Sequence, residues 1–309
     1  MNFNHLTIAP RPTVTHHSTI PRLNDGSQRP PSLRVYLNMG NVDTLPPESQ
    51  GPRGDARQKL LAIRQAGYDG VQCGDPTLCL ELGLGNAGSA RFNHVAEIGP
   101  GIITAREAGY DCLTVHIGWG HEDDDQMDAL VSEIIAASAG EGLPVFIETH
   151  RATITQDTWR TVKMVSRHPE VRFNGDFSHW YTGLEMVYGD FSAKVDFIAP
   201  VLERVRFMHG RMGNSGHIQV PLNDPTMPPA IAHFHTLWVA AMAGFHASAQ
   251  PGDYFVFAPE LLYSGNNYTR LRTDSQGRLV EECDRWVEAQ MYARLARQYF
   301  AEAAAILAR

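Results

Sequence analysis

The chain has 309 residues, 43% of them hydrophobic and 19% charged, enough to bury one full core and within the size at which a single α/β barrel forms one domain. Its formal net charge of -8 argues against a nucleic-acid partner, which needs a basic face to neutralise phosphates. Four cysteines (Cys73, Cys79, Cys112, Cys283) are too few for a disulfide scaffold, no apolar stretch approaches the roughly 20 residues of a membrane span, and the N-terminus lacks the charged-then-apolar order of a signal peptide, so a cytoplasmic protein without membrane contact is expected.

Residues 1–32 stand apart as an N-terminal arm, expected to be flexible or to wrap a neighbouring subunit, because Pro10, Pro12, Pro21, Pro30 and Pro31 interrupt any ladder. Residues 33–309 alternate regularly. A strand is expected at 33–38, then a helix at 55–66 with Leu60, Leu61 and Ile63 at helical spacing, closed by Gly67, then a strand at 69–73. The helix-exit signal Ala66-Gly67-Tyr68-Asp69 recurs as Ala108-Gly109-Tyr110-Asp111, each time ahead of an apolar run (70–73 and 112–117), which predicts stacked βα units. Further strands fall at 144–148, 171–176, 204–209 and 253–260, with helices near 125–139, 155–167, 184–199 and 229–249. Their apolar runs are continuous rather than alternating, as in strands covered on both faces. An eighth strand is needed, and 82–89 is the stretch left for it, weakened by its glycines. A closing helix over 281–309 places Leu295, Ala296, Phe300 and Ile306 on its apolar side. The predicted fold is a (β/α)8 TIM barrel.

Within the weak strand, Gly83-Leu84-Gly85-Asn86-Ala87-Gly88 has dinucleotide-motif spacing, but it lies mid-chain and no helix signal follows it. It reads better as a strand kept small where substrate or a neighbouring strand approaches, and no nucleotide cofactor is expected.

Four of the strands stop on groups that bind hard metals: Glu148, Asp176, His209 and Glu260. A parallel barrel gathers such strand ends at its C-terminal mouth, where three carboxylates and one imidazole would hold one divalent ion, Mn²⁺ before Mg²⁺, Co²⁺ or Zn²⁺, since no thiolate is offered.

The order Glu148, then Asp176-Phe177-Ser178-His179, then His209-Gly210-Arg211, then Glu260 resembles the xylose isomerase-like TIM barrels, the sugar phosphate isomerase/epimerase family. The resemblance runs from about Leu33 to the closing helix. It implies that Glu148, Asp176, His209 and Glu260 are metal ligands and that His179 contacts substrate. The group includes epimerases, isomerases, dehydratases and C-glycoside lyases. A relative that cuts abasic DNA with several zinc ions is disfavoured by the acidic charge and the single ligand set.

Independently of the resemblance, an ion bound by adjacent oxygens of a hydroxy-ketone stabilises the enediolate left when a neighbouring C–H proton departs. Glu148 and Glu260 are the candidate catalytic carboxylates, one taking the proton and the other returning it. A leaving group on the next carbon would turn the same intermediate toward β-elimination. His150, two residues after Glu148, resembles the extra acid or base of eliminating members, so it is a third catalytic candidate. Arg211 stands where dehydratases carry Lys, which favours substrate orientation by its forked guanidinium. His116 either lines the pocket or satisfies a buried carbonyl; Trp180, Tyr181 and Trp119 either stack on a sugar or cap the barrel mouth. The acidic stretch 122–125 reads as a helix first turn, and His233 and His235 face different directions on a helix. The leading expectation is a metal-dependent isomerase or epimerase of a small polyhydroxylated carbonyl compound. The alternatives are a lyase or dehydratase of the same fold and a metal-dependent sugar-binding protein without turnover. The expected partner is a small carbohydrate substrate, and a homo-oligomer is expected.

Overall fold

The computed structural model describes residues 18–307. Eight parallel strands close into a barrel in chain order: β1 (Ser32–Asn38), β2 (Gly70–Gln72), β3 (Gly85–Phe92), β4 (Cys112–Ile117), β5 (Val145–Glu148), β6 (Phe173–Asn174), β7 (Val205–Gly210) and β8 (Tyr254–Pro259). β8 pairs back onto β1 from Ser32↔Tyr254 to Val35↔Phe257, which completes the ring. The outer helices are α1 (Ala56–Gln65), α2 (Pro76–Glu81), α3 (Val95–Ala108), α4 (Asp124–Glu141), α5 (Thr158–Arg167), α6 (Phe177–Gly183), α7 (Phe191–Leu202), α8 (Pro228–His246) and α9 (Arg285–Leu307). A hairpin of β9 (Leu271–Thr273) and β10 (Leu279–Glu281) stands beyond β8. No helix among the described residues is long and apolar enough to cross a membrane.

Local signals account for these elements. Asp55 caps α1 and Asp123 caps α4, each answered by a glutamine three residues on in a capping box. Gly109 and Gly142 end α3 and α4 in the left-handed region that glycine enters without a Cβ penalty. The barrel interior is filled by Tyr36, Ala87, Cys112, Phe146, Phe207 and Val256, and a larger apolar layer lies between strands and helices.

The glycine-rich segment is indeed a strand, shifted to Gly85–Phe92. A Cβ on Gly85 would lie 2.0 Å from the Tyr36 hydroxyl, and one on Gly70 would lie 2.6 Å from the same ring. The glycines therefore make room for Tyr36, whose hydroxyl donates to Asp111 at 3.0 Å. Two expected helices start late: α5 begins at Thr158 and α7 at Phe191.

Residues 1–17 of the expected arm lie outside the described residues, while packing begins ahead of residue 33. Ile20 and Leu23 are buried, and Leu23 joins Phe146, Phe207 and Tyr254 in the barrel interior. Asn24 bridges to Asp253, the Tyr254 amide donates to the Leu23 carbonyl at 2.9 Å, and Arg22 pairs with Asp253 at 2.6 Å. The stretch 18–31 thus forms a floor across the N-terminal end of the barrel.

Candidate metal centre and active site

Four consecutive strands deliver the predicted ligands to the opposite end. Glu148 ends β5, Asp176 follows β6 and caps α6, His209 lies in β7 and Glu260 follows β8. Donor atoms of all four lie within 4.8 Å of one another. His209 Nδ1 stands 3.5 Å from Glu148, 3.6 Å from Asp176 and 3.4 Å from Glu260. Glu260 keeps the most open side chain, 14% exposed.

Side chains from the first half of the barrel fix which nitrogen faces those oxygens. The Thr114 hydroxyl donates to the Gly88 carbonyl at 3.3 Å, so its oxygen accepts from Gln72 Nε2 at 2.9 Å. Gln72 Oε1 is therefore turned toward His209 Nε2, 2.8 Å away, and accepts its proton. Nδ1 is left as an acceptor, reached by Asn174 Nδ2 at 3.3 Å and surrounded by three carboxylates. Asn38 donates to both Gln72 Oε1 and Glu260, at 2.8 and 2.9 Å, and Asn174 donates to Glu148 at 3.1 Å.

This donor set fits a divalent cation. Three carboxylates, a neutral imidazole and the Arg211 guanidinium sum to minus two, a charge that burial penalises unless an ion cancels it. Oxygen and nitrogen donors without thiolate suit a hard or borderline ion. Without an ion the same field draws a proton. Burial presses the His209 pKa down, yet Glu260 and Glu148 hold it well above its ordinary value. Burial raises Glu148, but His209 and His116 outweigh it and keep the carboxyl well below the usual range. Asp176 is likewise low, burial being overcome by Arg211 and His179. Glu260 is raised, by burial first.

Three imidazoles line the wall beside the carboxylates. His116 Nε2 sits 3.3 Å from Glu148, the His116 and His150 rings are 4.1 Å apart, and His150 and His179 are 3.8 Å apart. His116, Glu148 and His150 also place ligand atoms within 4.8 Å of one another. Burial pushes the His150 pKa down to about 4, so its ring is neutral near pH 7, while Glu148 holds His116 above its ordinary value against burial. Tyr268, in the loop ahead of β9, forms a roof. Arg211 and Arg151 lie 4.7 and 4.9 Å from its ring centroid, and its edge meets His179.

Comparison with known proteins bears on the fold. No family model matches the sequence, and no curated protein matches it. Solved structures do. They include the probable 3-DHS dehydratase AsbF involved in petrobactin synthesis from Bacillus anthracis, at 13% identity over 76% of this chain and 96% of that one, TM-score 0.51. A xylose isomerase-like TIM barrel protein from Mycobacterium smegmatis in complex with magnesium matches at 13% identity over 88% and 98%, TM-score 0.52. A D-tagatose 3-epimerase-like protein matches at 12% identity over 86% and 99%, TM-score 0.52. The fold is that of the xylose isomerase-like TIM barrels.

On this xylose isomerase-like barrel one candidate role changes. Trp180 is 0% exposed, packs on Phe177 and donates its indole N–H to the Thr155 carbonyl at 2.8 Å, so it belongs to the core and not to the pocket. Arg211 is buried, with Nη2 on Asp176 and Nε on the Ser178 hydroxyl at 3.0 Å, while Nη1 lies 3.1 Å from Glu260 without forming a hydrogen bond. It holds two of the candidate ligand carboxylates and keeps Nη1 as an unused donor. His116 faces the site. Tyr181 is buried against His233, and Trp119, 52% exposed, lies under Arg91. Glu122 accepts from the Trp119 and Gly120 amides beside the α4 cap, and His235 pairs with Glu302. Gln72, Asn38, Asn174, Thr114 and Tyr268 were missed, because a lone amide or hydroxyl inside a strand carries no spacing signal.

Proposed function

We propose that the protein is a divalent-metal-dependent isomerase or epimerase acting on a sugar or other small polyhydroxylated carbonyl compound. The observation that carries this reading is the convergence of Glu148, Asp176 and Glu260 on Nδ1 of His209 at 3.4 to 3.6 Å. A divalent ion held there would polarise adjacent oxygens of a hydroxy-carbonyl compound and stabilise the enediolate. Glu260 is the better-placed proton acceptor, since it is the most open of the four and burial raises its affinity for a proton. Asn38 and Arg211 hold its two oxygens in place. Glu148 faces the same space from β5, and His116, 3.3 Å away, is placed to supply the proton that Glu148 returns from the other side.

One observation favours a second reading. His150, neutral and lying between the tilted rings of His116 and His179, adds an acid or base beyond the two glutamates, as a lyase eliminating a leaving group from a keto-sugar or 3-keto-glycoside requires. The dehydratase among the similar structures supports keeping it. Deuterium uptake from D₂O, read by mass spectrometry on the metal-loaded protein with a panel of ketoses and 3-keto-glycosides, tests both readings. Exchange at one carbon without loss of a group supports the isomerase; exchange with release of water or an aglycone supports the lyase. No uptake and no release across the panel refutes both and leaves a binding protein.

A further inference from the structure

The turn between β5 and α5 follows Glu148 and carries His150, and two buried threonines hold it. Thr153 and Thr155 are buried, although Arg151 and Ala152 at the tip beside them are exposed. The Thr155 hydroxyl donates to the Glu148 carbonyl at 2.6 Å and accepts from the His150 amide at 3.1 Å. The Thr153 hydroxyl donates to the His150 carbonyl at 2.6 Å and accepts from the Thr155 amide at 3.2 Å. Both backbone groups of His150 therefore end on a threonine hydroxyl, and the two hydroxyl oxygens lie 2.9 Å apart. This clasp is anchored from three sides. The Trp180 indole donates to the Thr155 carbonyl at 2.8 Å, the Ile154 amide donates to the Ile117 carbonyl at 2.9 Å, and Arg91 reaches the Ala152 carbonyl at 3.5 Å. Ala152 is turned into the left-handed region at φ 54°, which a Cβ disfavours and which persists only where the surroundings fix the chain.

The same turn fixes the ring. His150 Nδ1 meets the Arg151 carbonyl, and among the described residues the ring makes no other hydrogen bond. A carbonyl only accepts, so Nδ1 carries the proton of the neutral ring and Nε2 keeps the lone pair. Glu148 has separate support: its carboxylate accepts from Asn174 at 3.1 Å, and the Thr149 amide donates to the Asn174 carbonyl at 3.0 Å. Loosening the clasp should therefore free His150 and leave Glu148 in place.

We propose that Thr155, seconded by Thr153, is a positioning residue for His150: it holds the imidazole in the Nδ1–H tautomer and leaves Nε2 as the proton acceptor. The inference rests on the reading of His150 as an acid or base beyond the two glutamates. Thr155 acts through the backbone of His150, whose amide it accepts from and whose carbonyl is held by its partner Thr153.

Two-bond ¹H–¹⁵N correlation spectra of the histidine rings, recorded near neutral pH on the full-length, Mg²⁺-loaded protein, test the proposal without a substrate. Loss of signals in His150→Ala identifies the ring. The expected wild-type pattern is a protonated Nδ1 and a bare Nε2. Thr155→Val keeps the side-chain shape and removes both bonds, so His150 becomes a mixture of tautomers, and Thr155→Ser restores the wild-type pattern. Thr153→Ala, which frees only the His150 carbonyl, shows the same change on a smaller scale and serves should Thr155→Val fold poorly. Mg²⁺ affinity stays within about threefold in each variant. Where the wild type releases water or an aglycone from the ketose and 3-keto-glycoside panel, Thr155→Val lowers that release by about 10²-fold and Thr155→Ser recovers it. Where the wild type releases nothing, the reading of His150 fails by itself and the ring signals still judge the clasp. A wild-type proton on Nε2, or His150 signals unchanged in both Thr155→Val and Thr153→Ala, overturns the proposal. So does a Thr155→Ser variant that behaves as Thr155→Val does, because the hydroxyl is then not the group that matters.

Discussion

Replacing Gln72 with Leu probes the metal centre without touching a ligand. The amide oxygen accepts from His209 Nε2 at 2.8 Å and from Asn38 at 2.8 Å, and all three side chains are buried. Leucine fills the space and offers no acceptor, so His209 loses the bond that keeps its proton on Nε2 and its lone pair on Nδ1. An orphaned buried donor costs about 1–3 kcal/mol in the folded protein. Loss of such a supporting partner lowers metal affinity by about 10–100-fold, or about 1.4–2.7 kcal/mol. Gln72→Glu retains an acceptor and should stay nearer the wild type. Competition of Mn²⁺ against a chelating dye measures the affinity, and deuterium exchange at saturating Mn²⁺ should recover, because Glu148 and Glu260 are unaltered. If Gln72→Leu binds Mn²⁺ within about threefold of the wild type, His209 does not coordinate through Nδ1 and the site assembled above is wrong.

Glu148→Gln and Asp176→Asn each remove an anionic donor and should lower metal content and abolish exchange; full occupancy by elemental analysis in both would remove them from the ligand set. His150→Ala should retain metal and measurable C–H exchange, whereas Glu260→Gln should lose exchange. Equal loss of exchange in both, with an aglycone or water released by the wild type, would put the lyase in place of the isomerase. Deletion of residues 1–31 strips Ile20 and Leu23 from the floor, each contributing about 1.5–3 kcal/mol of burial, and should lower Tm clearly; an unchanged Tm would mean the floor contacts carry no stability. Because the folded protein holds the His150 pKa down at about 4 while an unfolded histidine titrates near about 6.5, acid protonates the unfolded chain first. Stability should therefore fall as pH drops from about 6.5 toward 4, and His150→Ala should flatten that limb of the stability curve.

Most of the barrel was legible because buried parallel strands announce themselves as short apolar runs, and because Gly67 and Gly109 mark helix exits that repeat. The clustering of the four candidate ligands was legible for the same reason: each ends or follows such a run. β6 is only Phe173–Asn174, and α6 starts directly after Asp176, so the turn that carries Ser178 and His179 left no periodic trace. The glycines of β3 were readable as a close approach, but Tyr36, the side chain that approaches, lies on another strand. Trp180 looked like a sugar platform because aromatic residues near strand ends serve both uses; only its indole bond to Thr155 decides between them. The floor segment 18–31 was hidden by its prolines, whose missing amides do not prevent Ile20 and Leu23 from packing.

The candidate ligands all arrive on β5 to β8, and three of the groups that orient them, Asn38, Gln72 and Thr114, arrive on β1, β2 and β4. Neither half of the chain therefore owns a competent ion site. Asn38 reaches Glu260 across the β1–β8 seam, the last joint of the ring to form in sequence order. Ion capture with native affinity becomes a report that the ring has closed, available to a growing chain only after residue 260 has left the ribosome. A split protein, made as two fragments divided between β4 and β5, should bind the ion only when the fragments are mixed.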